Sequence, residues 1–90
     1  MSMDRALRFL SRRTHGVVLY TRPGCHLCED VRASLDRLAR RLPMEVQEVD
    51  ITGDPELIRR YDIRIPVVIV DGRVELEAPI SEAQLRAALR

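Results

Sequence analysis

The sequence predicts one α/β domain: a four-stranded mixed sheet with helices on both faces and a short extra helix at the N-terminus. Three observations lead to this prediction. A β-rich apolar run, a long helical stripe and a second strand follow one another as in a β-α-β unit, whose strands are parallel and whose crossover is right-handed. Two later strands flank an Asp-Gly turn, as in a hairpin. A chain of 90 residues forms one domain, which we place at 1–90.

The chain begins with a predicted helix and a predicted strand. Residues 4–13, "DRALRFLSRR", place Ala6, Leu7 and Leu10 on one face of a helix. Residues 17–20, "VVLY", form a short apolar run rich in β-branched side chains and bounded by turn-forming residues. This pattern is typical of a strand that is buried on both faces.

A long amphipathic helix follows the first strand. Its apolar residues are spaced by four, four, three and four positions, which is the repeat of one helical face. They are Leu27, Val31, Leu35, Leu38 and Leu42. Charged residues fill the other faces, and Pro43 is expected to stop the helix. We therefore assign Leu27 to the buried stripe of this helix.

The middle of the chain predicts a second strand and a short second helix. Residues 45–51, "EVQEVDI", alternate imperfectly between apolar and polar, as expected of a strand at the edge of the sheet. Asp54 and Pro55 form a helix start, with an aspartate cap followed by a proline in the first turn. This helix is predicted to run to about Tyr61.

The last third of the chain predicts a hairpin and a final helix. Residues 66–70, "PVVIV", read as a buried strand, and the Asp71–Gly72 turn leads into the fourth strand, "RVELE". Ser81 and Gln84 have the spacing of a capping box, which predicts the start of the final helix.

Composition and charge exclude several classes of protein. The net charge of +1 lacks the basic excess that usually accompanies nucleic-acid binding. No apolar stretch is long enough to span a membrane, and the first residues lack the apolar core of a signal peptide. We therefore expect a cytoplasmic protein. In a reducing compartment, two closely spaced cysteines are more often catalytic or metal-binding than structural.

The two cysteines, Cys25 and Cys28, lie in "TRPGCHLC", where the first strand gives way to the long helix. The free amides at a helix N-terminus stabilise a thiolate, and Arg22 adds a positive charge nearby. Cys25 is therefore predicted to be the exposed nucleophile. Cys28 lies one turn further into the helix and is predicted to resolve the mixed disulfide. A protonated His26 between them would make the pair more oxidising, although a solvated loop histidine with little effect is the plainer interpretation.

Other roles for the cysteine pair are metal binding and burial as inert side chains. A structural zinc site needs four ligands, and the chain offers one cysteine pair, so we predict no metal site within one chain. Two chains could share a metal through Cys25 and Cys28, and buried cysteines can also be inert. The alternative to an enzyme is thus a non-catalytic module that binds a peptide or an intermolecular metal in the same groove.

The order of elements and two motifs resemble the thioredoxin superfamily, and within it the short bacterial glutaredoxin-like proteins with a C-x-L-C pair. The motifs are "TRPGCHLC" and "IRIPVV" at 63–68. The resemblance implies a cis bond before Pro66, which would lie against the cysteine pair. It also implies that Ile65 exposes its backbone amide and carbonyl to an extended substrate, and that Arg64 lies at the rim. Arg22 corresponds to the basic residue that contacts the carboxylate of glutathione in glutaredoxins.

Two departures from glutaredoxins bear on glutathione. The residues inside the motif are His26 and Leu27, where glutaredoxins usually carry a tyrosine. The glycine pair and aspartate that hold the amino-acid end of glutathione are replaced by "LEAPISEAQ". The sequence therefore predicts weak glutathione binding and no tightly bound cofactor.

The sequence as a whole predicts a monomeric thiol–disulfide oxidoreductase. Its substrates are expected to be disulfide-containing proteins or small thiol compounds, with no nucleic-acid or membrane partner. A thioredoxin-type dithiol is the expected reductant, and glutathione is the poorer alternative.

Overall fold

The computed structural model describes residues 14–90. The predicted N-terminal helix at 4–13 lies outside the described residues. Within them the order is strand, helix, strand, short 3-10 helix, helix, two strands and a final helix. The elements are β1 (His15–Thr21), α1 (His26–Ala39), β2 (Met44–Asp50), a 3-10 helix (Ile51–Gly53), α2 (Pro55–Tyr61), β3 (Val67–Val70), β4 (Val74–Glu77) and α3 (Glu82–Ala88).

The four strands form one mixed sheet in the order β2-β1-β3-β4. β1 and β2 are parallel, with Val17 opposite Val46. β3 runs antiparallel to both β1 and β4. This arrangement confirms the predicted α/β fold, with its parallel pair, its C-terminal hairpin and β2 as an edge strand. It also places the C-terminal end of β1, which leads into the cysteine pair, in the interior of the sheet.

The helices cover both faces of the sheet, as predicted. The first face packs against α1 and α3 around a cluster that includes Leu19, Leu35, Val68 and Leu85. On the opposite face, the cluster around Ile51, Tyr61 and Val67 packs against apolar residues of α2, Leu57 and Ile58. Val67 and Val68 belong to different clusters because successive side chains of a strand point to opposite faces.

Leu27 corrects the prediction for α1. Its side chain is 57% exposed, whereas Val31 and Leu35 are buried. The buried face of the helix begins instead at Cys28, which is 2% exposed. Spacings of three and four both keep residues on one helical face, so Leu27 and Cys28 fit the stripe equally well by position. The assignment of Leu27 to the buried face is therefore wrong, and Cys28 occupies the buried position.

Side-chain caps define where the helices begin. Asp54 accepts a hydrogen bond from the amide of Glu56, and Pro55 occupies the first turn of α2. Ser81 and Gln84 form the predicted capping box of α3, each side chain bonding the other residue's backbone amide. These contacts satisfy amides that have no partner inside the helix. One helix end differs from the prediction, because α1 ends at Ala39, before Pro43.

Asp71 ties the β3–β4 hairpin to the start of β1. Asp71 and Gly72 have φ angles of 55° and 68°, the left-handed conformation that glycine, aspartate and asparagine tolerate. The Asp71 carboxylate accepts hydrogen bonds from the Gly16 amide at 2.9 Å and from His15 Nδ1 at 2.6 Å. His15 is the first residue of β1 and takes part in this contact.

Asp71→Asn is expected to lower the free energy of unfolding at neutral pH by about 1 kcal/mol, because the amide forms weaker hydrogen bonds than the carboxylate. The hydrogen bonds from His15 and from the Gly16 amide lower the pKa of Asp71. A lowered folded-state pKa gives stability that is complete above the unfolded-state value of about 3.9 and is lost as the pH falls through the folded-state value. Urea unfolding at about pH 7 and about pH 3 should therefore show a difference between native protein and variant that shrinks in acid. A difference that stays the same at both pH values would contradict this assignment.

Candidate active site

A tight turn places Cys25 at the start of α1. The turn contains Pro23 and Gly24, and Gly24 has a φ angle of 81°, where a side chain would be strained. The amide of Cys25 donates to the carbonyl of Arg22 at 3.3 Å, which closes the turn. Cys25 has an extended backbone and is the N-cap of α1. The sulfur thus lies beside the unpaired amides of the first helical turn.

Cys25 and Cys28 form a disulfide, with their Cα atoms 5.2 Å apart. Cys25 is partly exposed, while Cys28 is 2% exposed and packs at the start of the buried face of α1. The amide of Cys28 donates to Cys25 Sγ at 3.1 Å. A donor directed at this sulfur, together with the positive end of the helix dipole, favours a thiolate on Cys25 when the pair is reduced.

An open depression of about 470 Å³ lies beside the disulfide. Two arginines, Arg22 and Arg32, line it together with three acidic residues. The acidic residues are Glu29, Glu48 and Asp50. Hydrogen bonds from the Thr52 hydroxyl and amide lower the pKa of Asp50, which favours the charged form of this carboxylate. The depression therefore carries both signs of charge.

Pro66 borders a second, apolar groove. The Ile65–Pro66 bond is cis, as the sequence resemblance implied, and so is the Ala78–Pro79 bond. Pro66, Pro79 and Ala78 line a groove of about 110 Å³ together with Leu27. Leu27, assigned to the core from the sequence, is instead an exposed residue of the cysteine motif that borders this groove. Neither cysteine lines the groove, and a contact of Pro66 with the cysteine pair stays a prediction.

Ile65 differs from the expectation in one respect. Its amide donates to the carbonyl of Tyr61 at 3.0 Å, in the turn that follows α2. The expectation that this amide is open to a substrate strand is therefore wrong, because the bond closing the end of α2 already uses it. The Ile65 side chain is partly buried against the cluster that includes Tyr61 and Val67.

Arg64 is held within a network on the side of the sheet that faces α2. Its guanidinium donates to Glu75 and, at 2.9 Å, to Glu77, both on β4. The guanidinium carbon also lies 5.3 Å from the centre of the Tyr61 ring, which stacks on Tyr20 at 4.4 Å. Burial is the main cause that raises the pKa of Tyr20. Arg64 thus links the Pro66 loop to β4, and a role in substrate binding stays a prediction.

Arg22 and His26 lie on either side of Cys25 in sequence and differ in their contacts. Arg22 Nη1 lies 2.7 Å from Asp62 Oδ1, and both side chains are about two-fifths exposed, at 43% and 41%. His26 points into solvent with its side chain 92% exposed, and its Nδ1 lies 3.4 Å from Glu29 Oε1. Arg22 shares the depression with both cysteines, so the structure brings these three predicted residues together.

Sequence reasoning missed Asp62 and Ile63. Asp62 is the partner of Arg22, and Ile63 beside it is 95% exposed. One signal for Asp62 was available: an acidic residue at the end of a helix opposes the helix dipole and requires compensation from elsewhere.

Among residues 14–90, no group of three or more His, Cys, Asp or Glu side chains is arranged to hold a metal ion. None of the helices in this part of the chain has the length and apolarity needed to cross a membrane.

Comparison with known proteins places this geometry in context. Residues 16–90 match the family model described as Glutaredoxin-like domain (DUF836). An uncharacterised protein of Mycobacterium tuberculosis is 36% identical over 76 residues, covering 79% of this chain and 78% of that protein.

Two solved structures share the fold. The solution structure of a Nitrosomonas europaea protein superposes with a TM-score of 0.73 at 33% identity, covering 86% of this chain and 93% of the other. The N-terminal domain of the alkylhydroperoxide reductase subunit AhpF from Enterococcus faecalis superposes with a TM-score of 0.70 at 28% identity, covering 86% of this chain and 38% of the other. A glutaredoxin-like, thioredoxin-type fold with a cysteine pair at a helix start indicates redox activity.

Proposed function

The chain belongs to the Glutaredoxin-like domain (DUF836) family, and from this premise we propose that it is a thiol–disulfide oxidoreductase acting through Cys25 and Cys28. Cys25 attacks the substrate disulfide, and Cys28 resolves the intermediate. Its substrates are protein disulfides or small-molecule disulfides. The likeness to a domain of an alkylhydroperoxide reductase subunit supports a redox role but does not name a substrate.

One observation carries this proposal: the two sulfurs are bonded to each other but have unequal surroundings. Cys25 is partly exposed, caps α1 and accepts the Cys28 amide at 3.1 Å, whereas Cys28 is 2% exposed. The accessible sulfur is therefore also the one whose thiolate is stabilised. Thiol–disulfide exchange needs such a division between an attacking thiolate and a neighbouring thiol that follows it.

The reaction proceeds in two exchanges. The Cys25 thiolate attacks one sulfur of the substrate disulfide, forms a mixed disulfide and releases the other substrate sulfur, which takes a proton from solvent. Cys28 then loses its proton and attacks the Cys25 sulfur. This closes the Cys25–Cys28 disulfide and releases the second substrate thiol. Two electrons pass from the cysteine pair to the substrate, and an external thiol reductant must return them.

The groove bordered by Leu27, a residue of the cysteine motif, supports substrates with an apolar segment. Leu27 is an exposed apolar side chain of this groove, whose lining also includes the buried Pro66 and the acidic Asp30. Ile63 adds an exposed apolar side chain in the loop before Pro66. We infer that a substrate chain lies along this groove while its disulfide reaches Cys25. Arg64 and Ile65 then support the Pro66 loop from within the fold, and His26 faces the solvent beside the attacking sulfur.

The reductant is proposed to be a thioredoxin-type dithiol rather than glutathione. Arg22, the residue expected to contact a glutathione carboxylate, is already paired with Asp62. An exposed ion pair contributes only about 0–1 kcal/mol, so one such contact does not offset the cost of ordering a flexible tripeptide.

The test is turnover of a disulfide substrate by the purified protein with each reductant. Reduction of a protein disulfide should proceed with a dithiol donor and be slower with glutathione at equal driving force. Omission of the protein provides the background rate. No reduction above background with either donor would overturn the proposed function, while a clear advantage for glutathione would overturn only the choice of reductant.

A further inference from the structure

We propose that Asp62 is a specificity-determining residue: it occupies Arg22 and thereby disfavours disulfide substrates that carry a carboxylate near the reacting sulfur. This inference rests on the proposed thiol–disulfide exchange at Cys25. It adds the class of substrate that the site discriminates against and names the residue responsible.

The geometry pairs Arg22, the cation that an incoming anion would meet, with Asp62. Arg22 lines the depression that also contains Cys25 and Cys28. Its Nη1 lies 2.7 Å from Asp62 Oδ1, while Asp62 is not among the residues lining the depression. The guanidinium is thus held by a carboxylate from outside the cavity. A substrate carboxylate that reaches Arg22 must compete with Asp62.

Asp62 in turn depends on Arg22. Its Oδ1 atom is shielded from solvent and accepts no hydrogen bond of good geometry from any residue between 14 and 90. The distance to Arg22 is that of an ion pair, and this ion pair compensates for the missing hydrogen bond to the shielded oxygen. Loss of the arginine to a substrate would leave the oxygen without it, which favours the paired state.

The position of Asp62 is not explained by the stability of α2. Asp62 is the C-cap of that helix, where the partial negative charge of the helix end opposes a carboxylate. A basic or amide residue would suit this position better. The ion pair with Arg22 supplies a reason for an acid here.

The second arginine of the depression is engaged in the same way. Arg32 Nε donates to Asp36 Oδ1 at 3.1 Å, and Asp36 also lies outside the lining of the cavity. Glu29, Glu48 and Asp50 remain in the lining as negative groups. With both cations paired from outside, the depression repels anions more than its count of charges indicates.

The experiment compares two symmetrical small disulfides, bis(carboxyethyl) disulfide and bis(hydroxyethyl) disulfide, as oxidants of the fully reduced protein. Both expel the same kind of thiol, so the ratio of their second-order rate constants reports charge selection. Native protein should prefer the neutral disulfide. Asp62→Asn should shift the ratio toward the anionic one by about two- to fivefold, the factor that corresponds to an exposed ion pair. Asp62→Ser should shift the ratio by a similar factor. With two variants, the test does not depend on the correct folding of a single one.

Two controls separate the proposed route from a general loss of negative charge. In an Arg22→Gln background, Asp62→Asn should change the ratio much less, because no guanidinium is left to release. Glu82→Gln removes a carboxylate paired with Arg37 away from the depression and should leave the ratio unchanged.

An unchanged ratio in Asp62→Asn and Asp62→Ser would overturn this inference while leaving the proposed function intact, and so would an equal shift in the Arg22→Gln background or in Glu82→Gln. If neither small disulfide oxidises the reduced native protein, and the native protein reduces no protein disulfide, the proposed function fails. The inference then fails with it.

Discussion

Cys28→Ser is expected to accumulate a mixed disulfide with its substrate through Cys25, whereas Cys25→Ser is expected to accumulate none. The first variant keeps the accessible sulfur at the N-cap of α1 and loses the thiol that resolves the intermediate. The second keeps only a sulfur that is 2% exposed and cannot reach a protein disulfide without local opening. The measurement is non-reducing electrophoresis after incubation with an oxidised protein substrate, and the expected contrast is close to all-or-none.

The double variant Cys25→Ser with Cys28→Ser serves as the control, since it should form no covalent adduct at all. Trapping by Cys25→Ser in place of Cys28→Ser would show that the two thiols have exchanged roles. Absence of an adduct in either single variant, with an oxidised substrate that the native protein reduces, would contradict the mechanism of attack by Cys25.

Leu35→Ala is expected to lower the free energy of unfolding by about 2–5 kcal/mol, because it removes a fully buried side chain and leaves a cavity. Leu35 is 0% exposed and lies in the cluster formed by α1, α3 and the sheet. Leu27→Ala on the same helix is the matched control. Its side chain is 57% exposed, so the expected change is within about 0.5 kcal/mol. Urea unfolding monitored by circular dichroism measures both.

The comparison of these two variants also tests the correction to α1. A loss of stability in Leu27→Ala similar to that in Leu35→Ala would mean that Leu27 contributes to the core, as the spacing of the leucines first indicated. A small effect of Leu35→Ala would mean that the cluster tolerates the cavity or collapses into it.

The fold could be predicted where local sequence determines it. Asp54 with Pro55 and Ser81 with Gln84 define helix starts within four residues, and Asp71–Gly72 defines a hairpin within two. The helical phase of α1 was less certain, because spacings of three and four allowed either Leu27 or Cys28 at the buried position. Packing of α1 against the sheet determines which of the two residues is buried, and the local sequence pattern does not show it.

The candidate site divides in the same way. The position of Cys25 at a helix start follows from its immediate neighbours, so the thiolate could be predicted from the sequence. The partners of Arg22 and Arg64 come from distant segments, Asp62 after α2 and Glu75 on β4, and only the folded chain brings them together. The hydrogen bond from the Ile65 amide to the Tyr61 carbonyl is local, but it depends on how the turn after α2 closes.

The position of β1 between β2 and β3 has a consequence for synthesis of the protein on the ribosome. β1 emerges before both of its neighbours, and its parallel partner β2 emerges well before β3. A nascent chain that ends before Val67 therefore carries an interior strand with one edge unpaired, and that strand contains the apolar run Val17–Tyr20. Unpaired apolar edges promote association between chains. The free edge of β1 is covered only when β3 and β4 have left the ribosome. Until then that edge is exposed to chaperones and to other nascent chains.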